Sequence, residues 1–487
     1  METDHKEQVV LGRSISNIPF AFVPSTCEIL QLDETSVPLI NARVAGYEAP
    51  TVCCKSQVEE VNDYYKVPSS SCPNSLSGRT HPSGLAIIVT QSCNLSCSYC
   101  LAKQGNFGLD VSQASFSDIR SRIKSLYESG FKPDFVKFFG GEPTLEINLI
   151  RDICSFIRYE LKEEPIFAVT TNGTTNAEKH IEIWKEFNVS VSVSIDGPEF
   201  IHDSTRVKSN GKGSYKSAIS YCETLKRNNF PFAVLSVFDE RHLENNFSYL
   251  DTIRFLNEIS PLSKVQFVEE IGDSVGLISD DLINKCRDQI IEAVDAVFKN
   301  IQLDWVTPLS KQWLYDNNIF RFISGIVCKS ATPYTSTCTA SSLISLFPSG
   351  DSYSCYTLTE NDDYLLGCKD TDSENILRKQ SSISDAISWT NFKFAPWYRG
   401  VVGDVCLSDM KDSEQGMRSS IFYSLFQEVA VYRVLQNLVD IHTDSRAIAK
   451  LTHSIHEHQK ITGQFINTRE RSSLKDTHLN EFIGLLT

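Results

Sequence analysis

Short apolar runs alternate with longer amphipathic stretches through the middle of the 487-residue chain. Runs rich in β-branched and aromatic residues are typical of buried strands. They lie at Leu85–Thr90, Phe135–Phe139, Ile166–Thr170, Val189–Ile195, Phe232–Phe238 and Val265–Val268. Helical periodicity separates them, at Ser115–Ser129, Glu146–Lys162, Ala177–Phe187, Ser214–Arg227 and His242–Glu258. Alternating strands and helices predict an α/β fold with a parallel sheet of six right-handed βα units, short of a closed eight-unit barrel.

The flanking regions follow different patterns. Before the barrel, two short apolar runs (Phe20–Val23 and Cys27–Leu32) and a possible helix (Val58–Val67) precede a Ser- and Pro-rich linker, Pro68–Ser83. After it, a helix is predicted at Asp280–Asn300, then an irregular cysteine-containing region, then helices at Ser419–Leu438 and Ser445–Gln459. We therefore divide the chain into residues 1–80, 81–305 (the partial barrel), 306–420 and 421–487.

The net charge and the cysteine content limit the classes of function that this chain can have. A formal net charge of -15 argues against a nucleic-acid surface, which needs a basic field. We find neither an apolar stretch of membrane-spanning length nor a secretory leader, and therefore expect a cytoplasmic protein without a membrane partner. Fifteen cysteines without a leader indicate metal ligation for some of them. Cys154 and Cys222 lie in amphipathic patterns and are interpreted as small buried hydrophobes.

The strongest chemical signal follows the first strand. Cys93, Cys97 and Cys100 are spaced three and two residues apart. Three thiolates this close in sequence can hold three corners of a cuboidal iron–sulfur cluster and leave the fourth iron open to an external ligand. The alternative is a zinc knuckle, which normally requires a fourth nearby Cys or His.

This Cys-x3-Cys-x2-Cys loop, with the aromatic Tyr99 before its last cysteine, resembles the signature loop of the radical S-adenosylmethionine (SAM) superfamily. The resemblance implies a 4Fe-4S cluster whose open iron binds the amino and carboxylate groups of SAM. It also implies reductive cleavage of SAM to methionine and a 5′-deoxyadenosyl radical. An electron donor such as a flavodoxin or ferredoxin is then expected.

Residues at the ends of the next strands fit the same family. Gly140, Gly141, Glu142 and Pro143 end the second strand, where glycines let a ligand approach the backbone and the carboxylate and carbonyls can accept from an ammonium group. They resemble the family element that binds the SAM amino group. Asn172 follows the third strand and is a further SAM candidate, or else a cap of the following turn.

Polar residues also follow the fourth strand. By resemblance, Ser194 and Asp196 fall where the SAM ribose is bound, at the carboxyl ends of parallel strands. Arg206, in a His-Asp-x2-Arg stretch similar to that of sulfatase-maturing and peptide-modifying members, is the candidate partner of the SAM carboxylate. Its alternative interpretation is a solvated surface arginine.

A second set of cysteines lies beyond the barrel. Gly350 precedes Cys355 by five positions, a spacing similar to the opening of SPASM and twitch domains, which hold auxiliary clusters. Ser413 and Met417 stand where a full SPASM domain has cysteines, which favours a twitch-like domain with one auxiliary 4Fe-4S cluster. The expected ligands are Cys328, Cys338, Cys355 and Cys406, with Cys368 as the alternate fourth; the alternative is scattered core thiols without metal.

The resemblance implies a maturase for a ribosomally made precursor peptide that forms a carbon–carbon or thioether crosslink. Residues 1–80 faintly resemble the winged-helix elements that grip a leader peptide, or else form a plain capping subdomain. The alternatives are a formylglycine-generating sulfatase maturase, a non-catalytic iron–sulfur electron-transfer protein, and a zinc-binding interaction module. We assign no catalytic acid or base.

Overall fold

The computed structural model describes residues 10–23, 28–34, 83–267, 280–302, 317–327, 342–394 and 414–466. The helix predicted at Val58–Val67 and residues 68–82 of the predicted linker lie outside these ranges. Within the described part of the chain, no helix is both long and apolar enough to span a membrane.

Six parallel strands form the centre of the molecule, as predicted. They are β4 (Gly84–Thr90), β5 (Phe135–Gly140), β6 (Ile166–Thr171), β7 (Ser190–Ser194), β8 (Phe232–Phe238) and β9 (Ser263–Phe267), each paired with its neighbour in chain order. Their residues are almost all buried, because layers on both faces cover a parallel sheet. Burial on both faces explains why the sequences of these strands are continuous apolar runs. The parallel sheet with its connecting helices confirms the α/β fold class.

Helices connect these strands. They are α1 (Phe116–Glu128), α2 (Ile147–Ser155, continued by a π turn at Phe156–Glu160), α3 (Ile181–Phe187, preceded by a 3-10 turn at Ala177–Lys179), α4 (Glu199–Thr205), α5 (Tyr215–Arg227), α6 (Glu240–Glu244) and α7 (Tyr249–Ile259). The prediction of one helix at His242–Glu258 was wrong. Asn246 adopts a left-handed φ of 52°. Ser248 then caps a new helix, since its hydroxyl accepts from Asp251 N.

The sheet extends beyond the six predicted strands. β10 (Leu343–Leu346) pairs in parallel with β4, placing Leu343 opposite Gly84. β11 (Ser352–Tyr353) and β12 (Leu365–Gly367) follow in antiparallel order, which gives a nine-stranded sheet ordered β12-β11-β10-β4-β5-β6-β7-β8-β9. Part of the region predicted to be irregular therefore completes the central sheet.

The remaining helices are α8 (Asp280–Gln302), α9 (Asn317–Val327), α10 (Ser373–Phe394), α11 (Glu414–Ile441) and α12 (Ser445–Ile466). A separate antiparallel sheet of β1 (Val10–Arg13), β2 (Pro19–Val23) and β3 (Glu28–Gln31) packs on α11, where the Phe20 and Tyr432 ring centroids lie 6.2 Å apart. Sequence patterns indicated β2 and β3 but missed β1. Arg433 on α11 forms an ion pair with Asp295 on α8 at 2.6 Å.

Candidate functional site

The cysteine loop (residues 91–100) and the glycine turn (Gly140–Pro143) are in direct backbone contact at the carboxyl edge of the sheet. The amide of Gly141 donates to Thr90 O at 3.0 Å, and that of Glu142 to Ser92 O at 2.9 Å. A Cβ at Gly141 would lie 2.2 Å from Ser92 O, and one at Gly140 would lie 2.2 Å from Thr90 O. Gly140 also has a φ of +151°. Both glycines are therefore needed for this approach.

Two of the three thiols of the cysteine loop receive backbone N–H donors. Leu95 N lies 3.4 Å from Cys93 Sγ, and Gln104 N lies 3.3 Å from Cys100 Sγ. Burial raises the pKa of Cys97 to about 11, so a ligating thiolate there needs a metal's positive charge. Among the described residues, no three His, Cys, Asp or Glu side chains converge on one metal-ion position. Backbone N–H donors to these thiols fit their use as thiolate ligands of a metal centre.

The Glu142 carboxylate is buried and saturated by the chain itself. Its Oε1 accepts from Thr144 N at 3.1 Å, the Thr144 hydroxyl at 2.5 Å and the Thr171 hydroxyl at 2.7 Å. Its Oε2 accepts from Asn172 N at 2.7 Å. Burial raises the pKa of Glu142, although these four hydrogen bonds act to lower it. The carboxylate thereby joins the glycine turn to the end of β6.

Asn172 links the end of β6 to the cysteine loop. Its Nδ2 donates to Asn94 Oδ1 at 2.9 Å, and its Oδ1 accepts from Thr174 N at 3.0 Å. The second contact is the turn cap that the sequence suggested as the alternative role. Asn172 therefore holds both neighbouring segments in place.

Arg206, Asp196 and Tyr99 form a buried group beside the loop. Arg206 Nε donates to Asp196 Oδ2 at 2.9 Å, and the Tyr99 hydroxyl donates to the same oxygen. The Arg206 side chain is only 11% exposed, and its guanidinium lies 5.4 Å from the centre of the Tyr99 ring. The interpretation of Arg206 as a solvated surface residue was therefore wrong. Burial acts to raise the pKa of Asp196, but the Arg206 charge, the His202 ring and the hydrogen bonds from Tyr99 and Val237 together outweigh it, so the pKa is lowered.

Ser194 is buried as the last residue of β7, on the strand that leads to Asp196. Asp196 Oδ1 accepts from Val237 N on β8 at 3.0 Å. The Asp196 carboxylate thus connects the end of β7 to β8. Ser194 and Asp196, the residues predicted to bind the SAM ribose, lie at the same edge of the sheet.

Two histidines to which the sequence analysis assigned no role support this group. His202 Nε2 lies 2.9 Å from the Ser214 hydroxyl, which donates to Arg206 O at 2.6 Å. Burial lowers the pKa of His202 to about 4, so its ring is neutral near pH 7. His242 Nε2 lies 2.8 Å from Asp196 O. The His-Asp-x2-Arg stretch was a signal for His202, whereas no local motif indicated His242.

Only part of the second cysteine set falls in the described residues. Cys355 is buried just after β11, and Cys368 is exposed directly after β12. Cys328, Cys338 and Cys406 lie outside the described residues. The four-ligand set therefore stays a prediction.

Comparisons with known proteins agree with this geometry. Residues 87–244 match the radical SAM superfamily. A cysteine-type anaerobic sulfatase-maturating enzyme of Clostridium novyi is 28% identical over 191 residues, covering 36% of this chain and 50% of the relative. The radical SAM cyclopropyl synthase TigE of Paramaledivibacter caminithermalis is 27% identical over 225 residues, which cover 42% of this chain and 45% of the relative. The chain thus spans about half the length of these curated relatives.

A solved structure shares the fold over a longer stretch. Native anSMEcpe with bound AdoMet and Cp18Cys peptide superposes with a TM-score of 0.56 at 18% identity. The match covers 74% of this chain and 99% of that one.

Proposed function

We propose that the protein is a radical SAM maturase acting on a peptide, because residues 87–244 match the radical SAM superfamily. One observation carries the proposal: the cysteine loop, the glycine turn and Arg206 converge at the carboxyl edge of the sheet, where parallel sheets bind ligands. A non-catalytic electron-transfer protein would need the thiols but neither the turn nor the buried arginine.

The residues fit the two cofactors that the family implies. Cys93, Cys97 and Cys100 would hold the 4Fe-4S cluster. SAM would be bound by Tyr99, Gly140, Gly141, Glu142, Pro143, Asn172, Ser194, Asp196 and Arg206. When bound, the cluster and SAM together supply a 5′-deoxyadenosyl radical that removes a hydrogen atom from carbon.

The hydrogen bonds distinguish the tasks of these residues. Because the Glu142 carboxylate is occupied by four donors, the carbonyls of the glycine turn are the acceptors available to the SAM amino group. Because Arg206 binds Asp196 through Nε, the guanidinium edge formed by its two terminal nitrogens would be left to pair with the SAM carboxylate. Asp196 would thus orient Arg206 and also bind the ribose of SAM.

The peptide substrate is supported by the relatives. One is named for sulfatase maturation, another for cyclopropyl synthesis, and the solved structure holds a peptide. We infer a precursor peptide as substrate and an intramolecular carbon–carbon or thioether crosslink as product. One hydrogen leaves as an atom with the deoxyadenosyl group. The second leaves as a proton, and its electron passes to the auxiliary cluster or another acceptor.

Formylglycine formation on a sulfatase is the second candidate, favoured by the similarity to the sulfatase-maturating enzyme. A flavodoxin or ferredoxin in the cytoplasm would supply electrons to either enzyme. Residues 1–80 would recognise the leader of a precursor peptide.

The test uses the full chain, purified and reconstituted without oxygen, with dithionite, SAM and short peptides encoded beside its gene. We expect 5′-deoxyadenosine and a peptide lighter by two hydrogens. Changing Cys93, Cys97 and Cys100 together to Ala should abolish 5′-deoxyadenosine formation. Cys154→Ala, which alters a buried thiol in α2 away from the loop, should not.

Other outcomes would overturn parts of the proposal. No 5′-deoxyadenosine from the intact protein would exclude SAM cleavage. Deuterium uptake from solvent without a crosslink would indicate epimerisation. Conversion of a sulfatase-derived Cys or Ser to an aldehyde, with no change in precursor peptides, would favour the second candidate.

A further inference from the structure

A lysine is buried in the central sheet, where a charge is costly. Lys137 lies in the middle of β5 and is 3% exposed. Its ammonium lies 5.3 Å from the centre of the Phe139 ring and 5.9 Å from that of Tyr356. Within the described part of the chain, it neither pairs with a carboxylate nor donates a hydrogen bond. Aromatic faces alone compensate poorly for the lost hydration of an ammonium group.

Lys137 points to the face of the sheet opposite the main hydrophobic core. Neighbouring strand residues point to opposite faces, and Val136 and Phe138 belong to that core. The register places Ala86 of β4 and Ala168 of β6 directly beside Lys137. Because both side chains are single methyl groups, the two neighbouring strands leave room around the lysine.

Two hydroxyls without partners lie on the same face, one step nearer the carboxyl edge. Thr170 is two residues beyond Ala168 on β6 and stands opposite Ser192 on β7. Among the described residues, neither of these buried hydroxyl oxygens has a hydrogen-bond partner. Ser194, the last residue of β7, follows on the same face. Buried polar atoms without partners indicate a polar ligand or water at this position.

The space beside the ammonium is open toward the carboxyl edge. Phe139, Tyr356 and Thr170 are all partly exposed, whereas Lys137 is buried. The Phe139 and Tyr356 rings, with centres 4.4 Å apart, form an aromatic wall. The strand order places Thr170 and Ser192 on the other side of β5 from the strands that precede Tyr356. A cation, an aromatic wall and two hydroxyl donors thus line one space.

We propose that this space binds a carboxylate of the peptide substrate, with Lys137 as its counter-charge and the Thr170 and Ser192 hydroxyls as further donors. An ionised carboxylate only accepts hydrogen bonds, and its bonds to a charged donor are the strong ones. Little water competes at a buried site, which strengthens the attraction. Burial lowers the pKa of Lys137 to about 8, so the group still carries its proton at pH 7.

The position of Lys137 indicates the substrate rather than SAM. Lys137 lies three residues before Gly140, deeper in the sheet than the edge at which SAM would bind. Arg206 is the proposed partner of the SAM carboxylate. An Asp or Glu side chain and a free C-terminal carboxylate supply the same chemistry, and the test separates them. This inference rests on the peptide substrate of the proposed function and narrows it to acidic peptides.

The test measures binding and not turnover. The full chain, reconstituted without oxygen and saturated with SAM, is titrated with three N-acetylated peptides observed by NMR. They are Ala-Glu-Ala amide, Ala-Gln-Ala amide, and Ala-Gln-Ala with a free C-terminal carboxylate. The first has a side-chain carboxylate, the second has no carboxylate, and the third has only a terminal one.

Three variants accompany the parent. Lys137→Met removes the charge at similar side-chain length. Thr170→Val removes one hydroxyl at nearly constant volume and provides a second probe if Lys137→Met does not fold. Lys216→Met is the control, since that lysine is 84% exposed. Thermal unfolding identifies the variants that fold.

We expect the parent to bind one of the two carboxylate peptides roughly ten- to a hundredfold more tightly than Ala-Gln-Ala amide. The peptide preferred identifies the source of the carboxylate. Lys137→Met should lose this preference, Thr170→Val should weaken it, and Lys216→Met should keep it. No preference in the parent, or an undiminished preference in folded Lys137→Met or in Thr170→Val, would overturn the proposal.

Failure of this proposal and failure of the proposed function give different results. A carboxylate preference that depends on Lys137, without any 5′-deoxyadenosine, would remove SAM cleavage and leave the binding site. Equal loss of two hydrogens from a precursor peptide with the parent and with Lys137→Met, at equal KM, would leave the maturase and remove the site.

Discussion

Arg206 donates its Nε hydrogen to the Asp196 carboxylate at 2.9 Å, and the two side chains are only 11% and 2% exposed. A guanidinium held through one edge keeps a fixed orientation with its other edge available. The pair therefore acts as one unit in which Asp196 determines how Arg206 meets a ligand.

The first prediction concerns this pair. Asp196→Asn leaves the Arg206 charge buried without its counter-charge, which costs about 3–5 kcal/mol when a buried pair is broken. We expect a lower free energy of unfolding in urea and weaker SAM binding in anaerobic equilibrium dialysis. Glu199→Gln, which breaks the exposed pair with Lys216, should change neither quantity appreciably. Unchanged SAM affinity in folded Asp196→Asn would contradict the orienting role.

The second prediction concerns the contact between the glycine turn and the cysteine loop. Gly140→Ala should displace the turn, because the new Cβ would lie 2.2 Å from Thr90 O. We expect reduced iron retention and at least tenfold less 5′-deoxyadenosine. Gly130→Ala is the matched control: its φ is also positive, at +89°, but nothing lies within 4 Å of the added Cβ. Equal losses in both variants would show that backbone conformation, not the contact, is limiting.

The third prediction concerns the four donors around Glu142. In Glu142→Gln, an NH2 group replaces one carboxylate oxygen. At least one of the four donors then faces another donor and loses its acceptor. We expect a loss of about 1–3 kcal/mol, the cost of an unsatisfied buried group. Chemical unfolding measures it. Glu146→Gln, at an exposed position next to the turn, is the comparison and should unfold like the parent.

The fourth prediction concerns pH. Burial lowers the pKa of His180 to about 4, below its ordinary value of 6.5. As pH falls through 6.5, the unfolded chain binds a proton before the folded chain does, so stability present at pH 7 is lost progressively toward pH 4. The full loss is roughly 3 kcal/mol for this histidine.

His180→Asn should therefore flatten the plot of unfolding free energy against pH between 7 and 4. Asn can still accept from the Tyr221 hydroxyl, which lies 3.2 Å from His180 Nδ1. His453→Asn, at an exposed site, should leave the plot unchanged. An unaltered slope in His180→Asn would show that this histidine does not titrate on unfolding.

The βα pattern was predictable from sequence because strands buried on both faces consist of continuous apolar residues. The Phe232–Phe238 strand was predicted with its observed bounds. The break between α6 and α7 was missed because the periodic apolar residues run across it, while the left-handed Asn246 and the Ser248 cap decide the local backbone. β10 was missed because a four-residue apolar segment gains strand structure only from its distant partner β4.

For the candidate site, local motifs indicated the cysteine loop and the glycine turn. The pairing of Asp196 with Arg206 was not predictable, since it depends on α4, which brings the two residues together. Lys137 gave no signal either, because a lysine within a strand usually reaches solvent. Cys328, Cys338 and Cys406 remain predictions.

The parallel pairing of β10 with β4 has a consequence for synthesis on the ribosome. β4 emerges early, but the strand that covers its free edge begins only at Leu343. At a translation rate of roughly 5–20 residues per second, that edge of β4 stays uncovered for some tens of seconds. During this interval one edge of β4 has no partner strand, and this strand lies directly ahead of the three thiols of the cysteine loop. Aggregation and premature oxidation of this protein during expression should therefore depend on how quickly translation reaches β10.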